Sequence, residues 1–230
     1  MVRHRDQSVF VYVVARDFGF APNPFHGFCT LACCKPKIRS AAEVGDWVFG
    51  MAGGALSEPG NCIFGMRVTE TLTFDQYWLD PRFEVKKPLR NGSRVMMLGD
   101  NIYHRREVGT EWLQEDSHHS RPDGSPDTSN IKTDTQSNHV LVSEQFTYFG
   151  AAAPSVPSRI LEAVGYTNGR NHRRFTAQQA QPLLSWFQEI SASAPSPVVD
   201  DPFQFRRSAA RFSSGTNKIT DEVVEPLQPK

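Results

Sequence analysis

The sequence has little cysteine, no excess of either charge and no long hydrophobic run. Four cysteines in 230 residues cannot form a dense disulfide framework, and the adjacent Cys33 and Cys34 lack the CxxC spacing of redox and zinc-knuckle motifs. Lys and Arg (25) balance Asp and Glu (25), which excludes a global positive field for non-specific binding of nucleic acid. The apolar segment 8–15 is too short and wrongly flanked for a signal peptide or a membrane span. We therefore expect reduced thiols, a cytoplasmic location and no membrane partner.

Three common active-site motifs are also missing. The sequence contains no GxGxxG, GxxxxGK[ST] or GxSxG pattern. Dinucleotide-binding, P-loop and α/β-hydrolase sites would therefore lack their phosphate-binding loop or their nucleophile turn.

The residues that are present predict an α+β domain with a β-rich core. Hydrophobic residues make up 39% of the chain and 16 residues are Phe, which is enough for a sizeable core. The run VFVYVV at 9–14 predicts a buried central strand before a Gly/Pro/Asn-rich loop at 19–28. Strands are also predicted at 44–50 and 62–69, as a pair, and at 140–142 and 146–149. Helices are predicted at 74–78 after the N-cap Thr73, at 158–164, and at 176–190 with Thr176 as N-cap.

The chain divides into one domain at 1–190 and a flexible Pro/Ser-rich tail at 191–230. Ser, Ala, Pro and charged residues dominate the tail, so that Phe203 and Phe205 are its only candidate anchors. Within the domain, the polar stretch 115–138 is long enough to predict either a functional loop or a disordered one.

Two short stretches, 99–104 and 116–119, contain the densest set of carboxylates and imidazoles. Such groups can bind a divalent metal or exchange protons near neutral pH. They can equally cap turns and hydrogen-bond the loop backbone, and the absence of a regular ligand spacing places such structural or polar-binding use ahead of metal ligation. The predicted catalytic residues are His104, Asp116, His118 and His119, and the predicted ligand-binding residues here are Asp100, Asn101 and Tyr103.

A second candidate set follows the first strand. Arg16 and Asp17 leave a buried strand and meet Asn23 in a loop, where side chains can project into a cleft. The alternative is that Arg16 pairs with Asp17 or Asp46 and only fixes the loop.

Further candidates carry positive charge, aromatic rings or thiols. The basic stretch with Lys35 and Arg39 could hold phosphate groups or could be a solvated turn. Trp47 and Tyr103 could stack a base, although most aromatic residues fill the core. Cys29, Cys33 and Cys34 could supply a nucleophile, but free cysteines are more often small buried hydrophobes, and we predict the latter here.

Two family resemblances are visible. Residues 44–70 resemble the PUA-like family, including EVE and ASCH domains, which implies a small β-barrel that accommodates RNA or modified DNA bases. A wider pattern, over 9–186, resembles the type 2 nucleotide-modification-associated family. It is carried by YVVARDFGFAPNPF (12–25), CTLA (29–32), CKPKIR (34–39), GDWV (45–48), GDNIYH (99–104) and DSHHS (116–120).

The wider resemblance implies a bacterial or phage protein associated with the modification of nucleotides or DNA bases. From the candidate residues above, we expect it to bind a nucleotide or a nucleic-acid base, in DNA rather than RNA, in a pocket of His, Asp and Arg side chains. Catalysis on that base is one version of this function. A reader of modified bases without catalysis is another. A protein-interaction component of a modification or phage-defence system is the third, with protein partners from that system.

Overall fold

We describe the protein from a computed structural model, which defines residues 6–56, 59–107 and 109–220. The strands of these residues are β1 (Ser8–Val14), β2 (Cys29–Leu31), β3 (Trp47–Ala52), β4 (Cys62–Arg67), β5 (Glu70–Thr73), β6 (Tyr103–His104), β7 (Leu113–Gln114), β8 (His139–Ser143), β9 (Gln145–Tyr148), β10 (His172–Thr176), β11 (Arg211–Ser213) and β12 (Lys218–Thr220). The α-helices are α1 (Pro36–Arg39), α2 (Phe74–Leu79), α3 (Arg94–Met97), α4 (Thr128–Asp134), α5 (Ser158–Val164) and α6 (Gln181–Ala192). Short 3-10 helices cover Pro81–Lys86, Gly150–Ala152 and Phe205–Arg207.

The main sheet has five strands in the order β10-β1-β3-β4-β9. β1 is parallel to β3 and antiparallel to β10. Both of its faces are buried, because Phe10 and Tyr12 pack into one hydrophobic cluster while Val9 and Val11 pack into another on the opposite face. The predicted buried central strand is confirmed. The predicted pairing of the segments 44–50 and 62–69 is also confirmed, as the antiparallel pair β3 and β4.

Helices α5 and α6 cover one face of the main sheet, with Leu183, Leu184 and Phe187 of α6 buried there. The predicted helix at 158–164 is confirmed as α5. The last helix begins at Gln181 and not at Thr176, because Thr176 ends the edge strand β10 and its hydroxyl accepts the N–H of Gln179 (3.2 Å) in a turn. Among the described residues, no helix combines the length and the apolar character needed to cross a membrane.

A second sheet, in the order β2-β8-β5, covers the opposite side. Thr73 caps α2 at the end of β5: its side chain accepts the N–H of Gln76 while Gln76 returns a bond to the backbone of Thr73, which confirms the predicted N-cap. None of the sheets in the described ranges closes on itself. The fold is therefore a mixture of sheets and helices, and the PUA-like barrel is not confirmed.

The polar stretch 115–138 contains a helix that the sequence analysis missed. Asp127 caps α4 by accepting the N–H groups of Ser129 and Asn130 (2.8 and 3.1 Å). The sequence Asp-Thr-Ser-Asn is a recognisable N-cap signal, but the lack of apolar periodicity after it concealed the helix. This helix ends with Asp134, which is buried.

The segment after residue 191, which the sequence predicts to be a flexible tail, makes ordered contacts with the domain. The N–H of Val199 donates to Tyr148, that of Gln204 to Asp17 (both 2.8 Å) and that of Phe212 to His118 (2.7 Å), in each case to the carbonyl oxygen. Strands β11 and β12 then form a hairpin beside these loops. Residues 221–230 lie outside the described residues.

Candidate active site at the end of strand β1

A cleft of about 340 Å³ opens where β1 ends. Five further parts of the chain line it: the loop after β1, the turn before α1, the loop with His118 and His119, helix α4 and the β11–β12 hairpin. The lining residues used below are Tyr12, Arg16, Phe18, Phe20, Cys34, Lys35, His118, His119, Asp134, Phe212 and Asn217.

Three of these side chains form a linear array. The Sγ atom of Cys34 lies 3.8 Å from Nε2 of His119. The other ring nitrogen of His119, Nδ1, lies 2.8 Å from Oδ2 of Asp134. His119 and Asp134 are fully buried, whereas Cys34 is half-buried at the wall of the cleft. The order thiol, imidazole, carboxylate is the arrangement in which a base activates a nucleophile and a third group orients the base.

The carboxylate is held from three directions. The hydroxyl of Tyr103 donates to Oδ2 of Asp134 (2.9 Å), the same oxygen that faces His119. The backbone N–H of Cys34 donates to Oδ1 (2.7 Å). Arg39 is buried beside this group and donates to the carbonyl oxygens of both Cys34 (2.8 Å) and Asp134. Arg39 therefore links the cysteine turn to the end of α4.

The backbone of the cysteine turn is unusual. Cys34 and Lys35 adopt φ angles of 58° and 41°, in the left-handed region. This conformation costs a residue with a Cβ roughly 1–2 kcal/mol. Such conformations concentrate at functional sites, where the surrounding structure holds them in place.

The charges in the array favour an ion pair between His119 and Asp134. Burial by itself lowers the pKa of His119, but the nearby Asp134 carboxylate and Cys34 sulfur outweigh it and raise this pKa to about 10. Burial likewise raises the pKa of Asp134, yet the charges of His119 and Arg39 reverse this and leave the pKa below its ordinary value. At neutral pH we therefore expect an imidazolium facing the sulfur of Cys34.

His118 differs from its neighbour. Its Nδ1 atom lies 2.6 Å from the carbonyl oxygen of Ala210, and its ring packs against Phe18 and Phe20 at centroid distances of 4.6 and 5.1 Å. Burial, and then the charge of His119, hold its pKa well below the ordinary range. His118 is thus a neutral ring in an aromatic wall.

The rest of the cleft combines aromatic faces with cations. The Nζ atom of Lys35 lies 4.6 Å above the ring of Tyr12, and the guanidinium of Arg16 lies 4.9 Å from the ring centre of Phe212. Arg16 also donates to the side-chain and backbone oxygens of Asn217 (3.1 and 2.9 Å). The hydroxyl of Tyr12 is buried and has no hydrogen-bond partner among the described residues.

Several predicted ligand-binding residues lie in a buried polar network outside the cleft lining. Lys86 Nζ donates to Asn23 Oδ1 (2.8 Å) and Thr30 Oγ1 (3.1 Å), and Thr30 donates to Asp100 (2.6 Å). Burial lowers the pKa of Lys86 to about 8 and raises that of Asp100. Asn101 donates to backbone carbonyl oxygens. These contacts join loops of the fold.

The other predicted residues are spread more widely. His104 stacks on Trp78 (4.0 Å between ring centres) and contacts Glu115, while Asp116 pairs with Arg211. Asp17 is buried and accepts bonds from Tyr148 and from the N–H of Phe203, with burial raising its pKa to about 6. Trp47 packs on Phe49 and Phe187 beside a separate pocket. Of the predicted set, the cleft is lined by Arg16, Lys35, His118 and His119, with Arg39 and Tyr103 positioned behind it.

The sequence analysis missed the partners of His119. Cys29 and Cys33 are buried as predicted, but Cys34, for which the same was predicted, is more exposed and lines the cleft. Asp134 lies in the polar stretch 115–138, where no helix was predicted, although Asp127 is a signal for the start of the helix that contains Asp134. Phe212 lies in the segment predicted to be flexible.

Metal ligation was left open by the sequence, and one group in the described residues has suitable atoms. Cys33, His119 and Asp134 offer atoms that lie within 4.8 Å of one another. Both carboxylate oxygens of Asp134, however, already accept hydrogen bonds, and Cys33 is buried with its thiol near the carbonyl oxygen of Asp100 (3.7 Å). These contacts fit a hydrogen-bonded ion pair better than a metal centre.

Comparison with known proteins gives one family match. The family model described as nucleotide modification associated domain 2 matches residues 6–209. This match extends beyond residue 190, into the segment with Phe203 and Phe205. No curated protein matches the chain, and no solved structure matches it.

Proposed function

We propose, since the chain belongs to the nucleotide modification associated domain 2 family, that its cleft binds a nucleotide or a nucleic-acid base and acts on it as an enzyme. The observation that carries this proposal is that a half-buried aromatic ring, Phe212, stands beside two cations, Arg16 and Lys35, in the lining of one cleft.

The remaining walls suit the same ligand. Phe212 is half-buried and offers a face on which a flat ring can stack, while Phe18 and Phe20 are buried in the apolar part of the lining. Arg16 and Lys35 bring positive charge to the cleft for a phosphate group. A stacking face and cations together match the base and the phosphate of a nucleotide.

The enzyme version is favoured over a reader of modified bases by one further feature. A reader needs stacking and edge contacts, but it has no use for an imidazole held by a buried carboxylate at the wall of its pocket. The His119–Asp134 pair at 2.8 Å supplies a group that can transfer a proton.

The proposal is tested by measuring thermal stability of the purified protein with nucleoside monophosphates and short DNA and RNA strands. A ligand that binds only the folded state raises the melting temperature. We expect a nucleotide to do so, and Arg16→Gln to weaken the effect. The matched control is Arg82→Gln, an arginine that pairs with Glu70 and Asp80 outside the cleft. Equal effects of the two substitutions, or no shift with any nucleotide or strand, would contradict the proposal.

A further inference from the structure

Cys34 is the one of the four cysteines that is not fully buried, and it faces the cleft. We infer that Cys34 is a catalytic nucleophile that forms a transient covalent bond to a pyrimidine ring, with His119 as its proton-transfer partner and Asp134 as a positioning residue. This inference rests on the proposed function, because it assumes that the ring lies in the cleft.

The geometry orients the imidazole toward the sulfur. Asp134 contacts Nδ1 of His119, so that Nε2 points to Sγ of Cys34 at 3.8 Å. Tyr103 and the N–H of Cys34 fix the carboxylate in turn. Nucleophile, base and orienting group are thus each held by a named contact.

The charge beside the sulfur suits a nucleophile. The protonated ring of His119 lies 3.8 Å from the sulfur, where its positive charge can balance the negative charge of the attacking sulfur. The half-buried position of Cys34 leaves it accessible from the cleft. The neighbouring Cys33 is fully buried, and this burial raises the pKa of its thiol well above the ordinary value.

The hydrogen bonds around Cys34 distinguish between two kinds of thiol chemistry. Acyl transfer commonly uses the backbone N–H of the nucleophile to stabilise an oxyanion beside the sulfur. The N–H of Cys34 is already bonded to Asp134 (2.7 Å). Addition to a conjugated ring instead develops negative charge away from the sulfur, and the cleft has the cations Lys35 and Arg16 to stabilise it.

The step balances without an oxidant or a reductant. The Cys34 thiolate forms a bond to ring carbon 6 of the pyrimidine. The electron pair of the double bond between ring carbons 5 and 6 moves toward carbon 5 and the conjugated carbonyl or ring nitrogen, and carbon 5 takes the proton from Nε2 of His119. The reverse elimination returns the proton to His119, restores the double bond and releases the thiolate.

The direct test uses the deoxynucleoside monophosphate of pyrimidin-2-one, a ring that lacks the exocyclic group and adds nucleophiles readily. Its long-wavelength absorbance disappears when the ring double bond is saturated. We expect stoichiometric wild-type protein to remove this absorbance, Cys34→Ser to leave it unchanged while keeping affinity within a few-fold, and Cys62→Ser, a control in the core, to behave as wild type. Loss of absorbance with Cys34→Ser would overturn the inference.

The two proposals fail in different ways. If the wild-type protein binds the probe, measured by calorimetry, and its absorbance persists, the covalent step is wrong while nucleotide binding stands. If neither the probe nor any natural nucleotide binds, both proposals fall.

A second measurement concerns the sulfur alone and needs no nucleotide. We expect iodoacetamide to label Cys34 in the folded protein, and His119→Gln to slow this labelling at neutral pH by about tenfold or more, because the imidazolium is lost. At high pH the two rates should converge. An unchanged rate and pH profile in a folded His119→Gln protein would show that His119 has no influence on the thiol and would overturn the inference.

Discussion

The backbone N–H of Cys34 donates to Oδ1 of Asp134 (2.7 Å), across 100 residues of sequence. The other oxygen of the same carboxylate faces Nδ1 of His119 (2.8 Å). One side chain at the end of α4 therefore fixes the main chain of the proposed nucleophile and the ring beside it.

The first prediction concerns the pH dependence of stability. Folding raises the pKa of His119 from its ordinary value of 6.5 to about 10. Its stabilising contribution is therefore complete below pH 6.5 and is lost as the pH rises toward 10. We expect the free energy of unfolding of wild type to exceed that of His119→Gln by on the order of a few kcal/mol at pH 6, with the difference shrinking up to pH 10.

Urea unfolding of both proteins across this range measures the difference. The comparison with the variant is necessary because Lys86, whose burial lowers its pKa to about 8, titrates in the same window with the opposite sign. A difference that does not change between pH 6 and pH 10 would contradict the ion pair.

The second prediction concerns the strained turn. Because Cys34 has a φ of 58°, Cys34→Gly should be more stable to unfolding than Cys34→Ala by about 1 kcal/mol. The control is Ser40, whose φ of −78° lies in the right-handed region. There Ser40→Gly should be less stable than Ser40→Ala. The same order of stability at both positions would show that the turn carries no strain.

The third prediction gives two tyrosines opposite effects. Tyr12→Phe removes a buried hydroxyl without a partner among the described residues, so the protein should gain about 1–3 kcal/mol of stability. Tyr77→Phe removes a hydroxyl that donates to Asp100 (2.8 Å), so that variant should lose stability. Unfolding in urea measures both effects. A loss of stability in Tyr12→Phe would mean that the hydroxyl already has a partner.

Local signals in the sequence were sufficient for much of the fold. The β-branched run of β1 and the Thr73 cap of α2 depend on neighbours in sequence, and both were predicted correctly. The site depends on distant contacts. Cys34 meets Asp134 only because β2 pairs with β8 and brings the turn after β2 beside the end of α4, and no local pattern encodes this pairing.

The same reason explains why the sequence does not separate the polar residues of the cleft from the other polar residues. Asp100 and His119 look alike in sequence, each in a polar loop. In the folded protein, Asp100 accepts hydrogen bonds from Thr30 and Tyr77 in the interior, whereas His119 lines the cleft. Residue type alone cannot separate these two outcomes.

The last prediction concerns the size of the substrate. Strand β10 is an edge strand, and its residue Arg174 lies on the same face as His172, where burial and then the charges of nearby cations, first Lys37 and Lys35, lower the pKa of His172. Arg174, Lys35 and Lys37 form a basic strip. Tyr12 pairs with His172 across β1 and β10, so this basic strip begins at the cleft.

If the base is part of a nucleic-acid strand, the phosphates next to that base can contact the basic strip. We expect the double substitution Lys37→Gln, Arg174→Gln to weaken oligonucleotide binding severalfold and to reduce the dependence of affinity on salt by about one phosphate contact per residue, while mononucleotide binding is unchanged. Fluorescence anisotropy at several salt concentrations measures this, with Arg82→Gln as the control for loss of an exposed arginine outside the strip. An unchanged salt dependence would mean that a free nucleotide, not a strand, is the substrate, since only a polymer extends beyond the cleft.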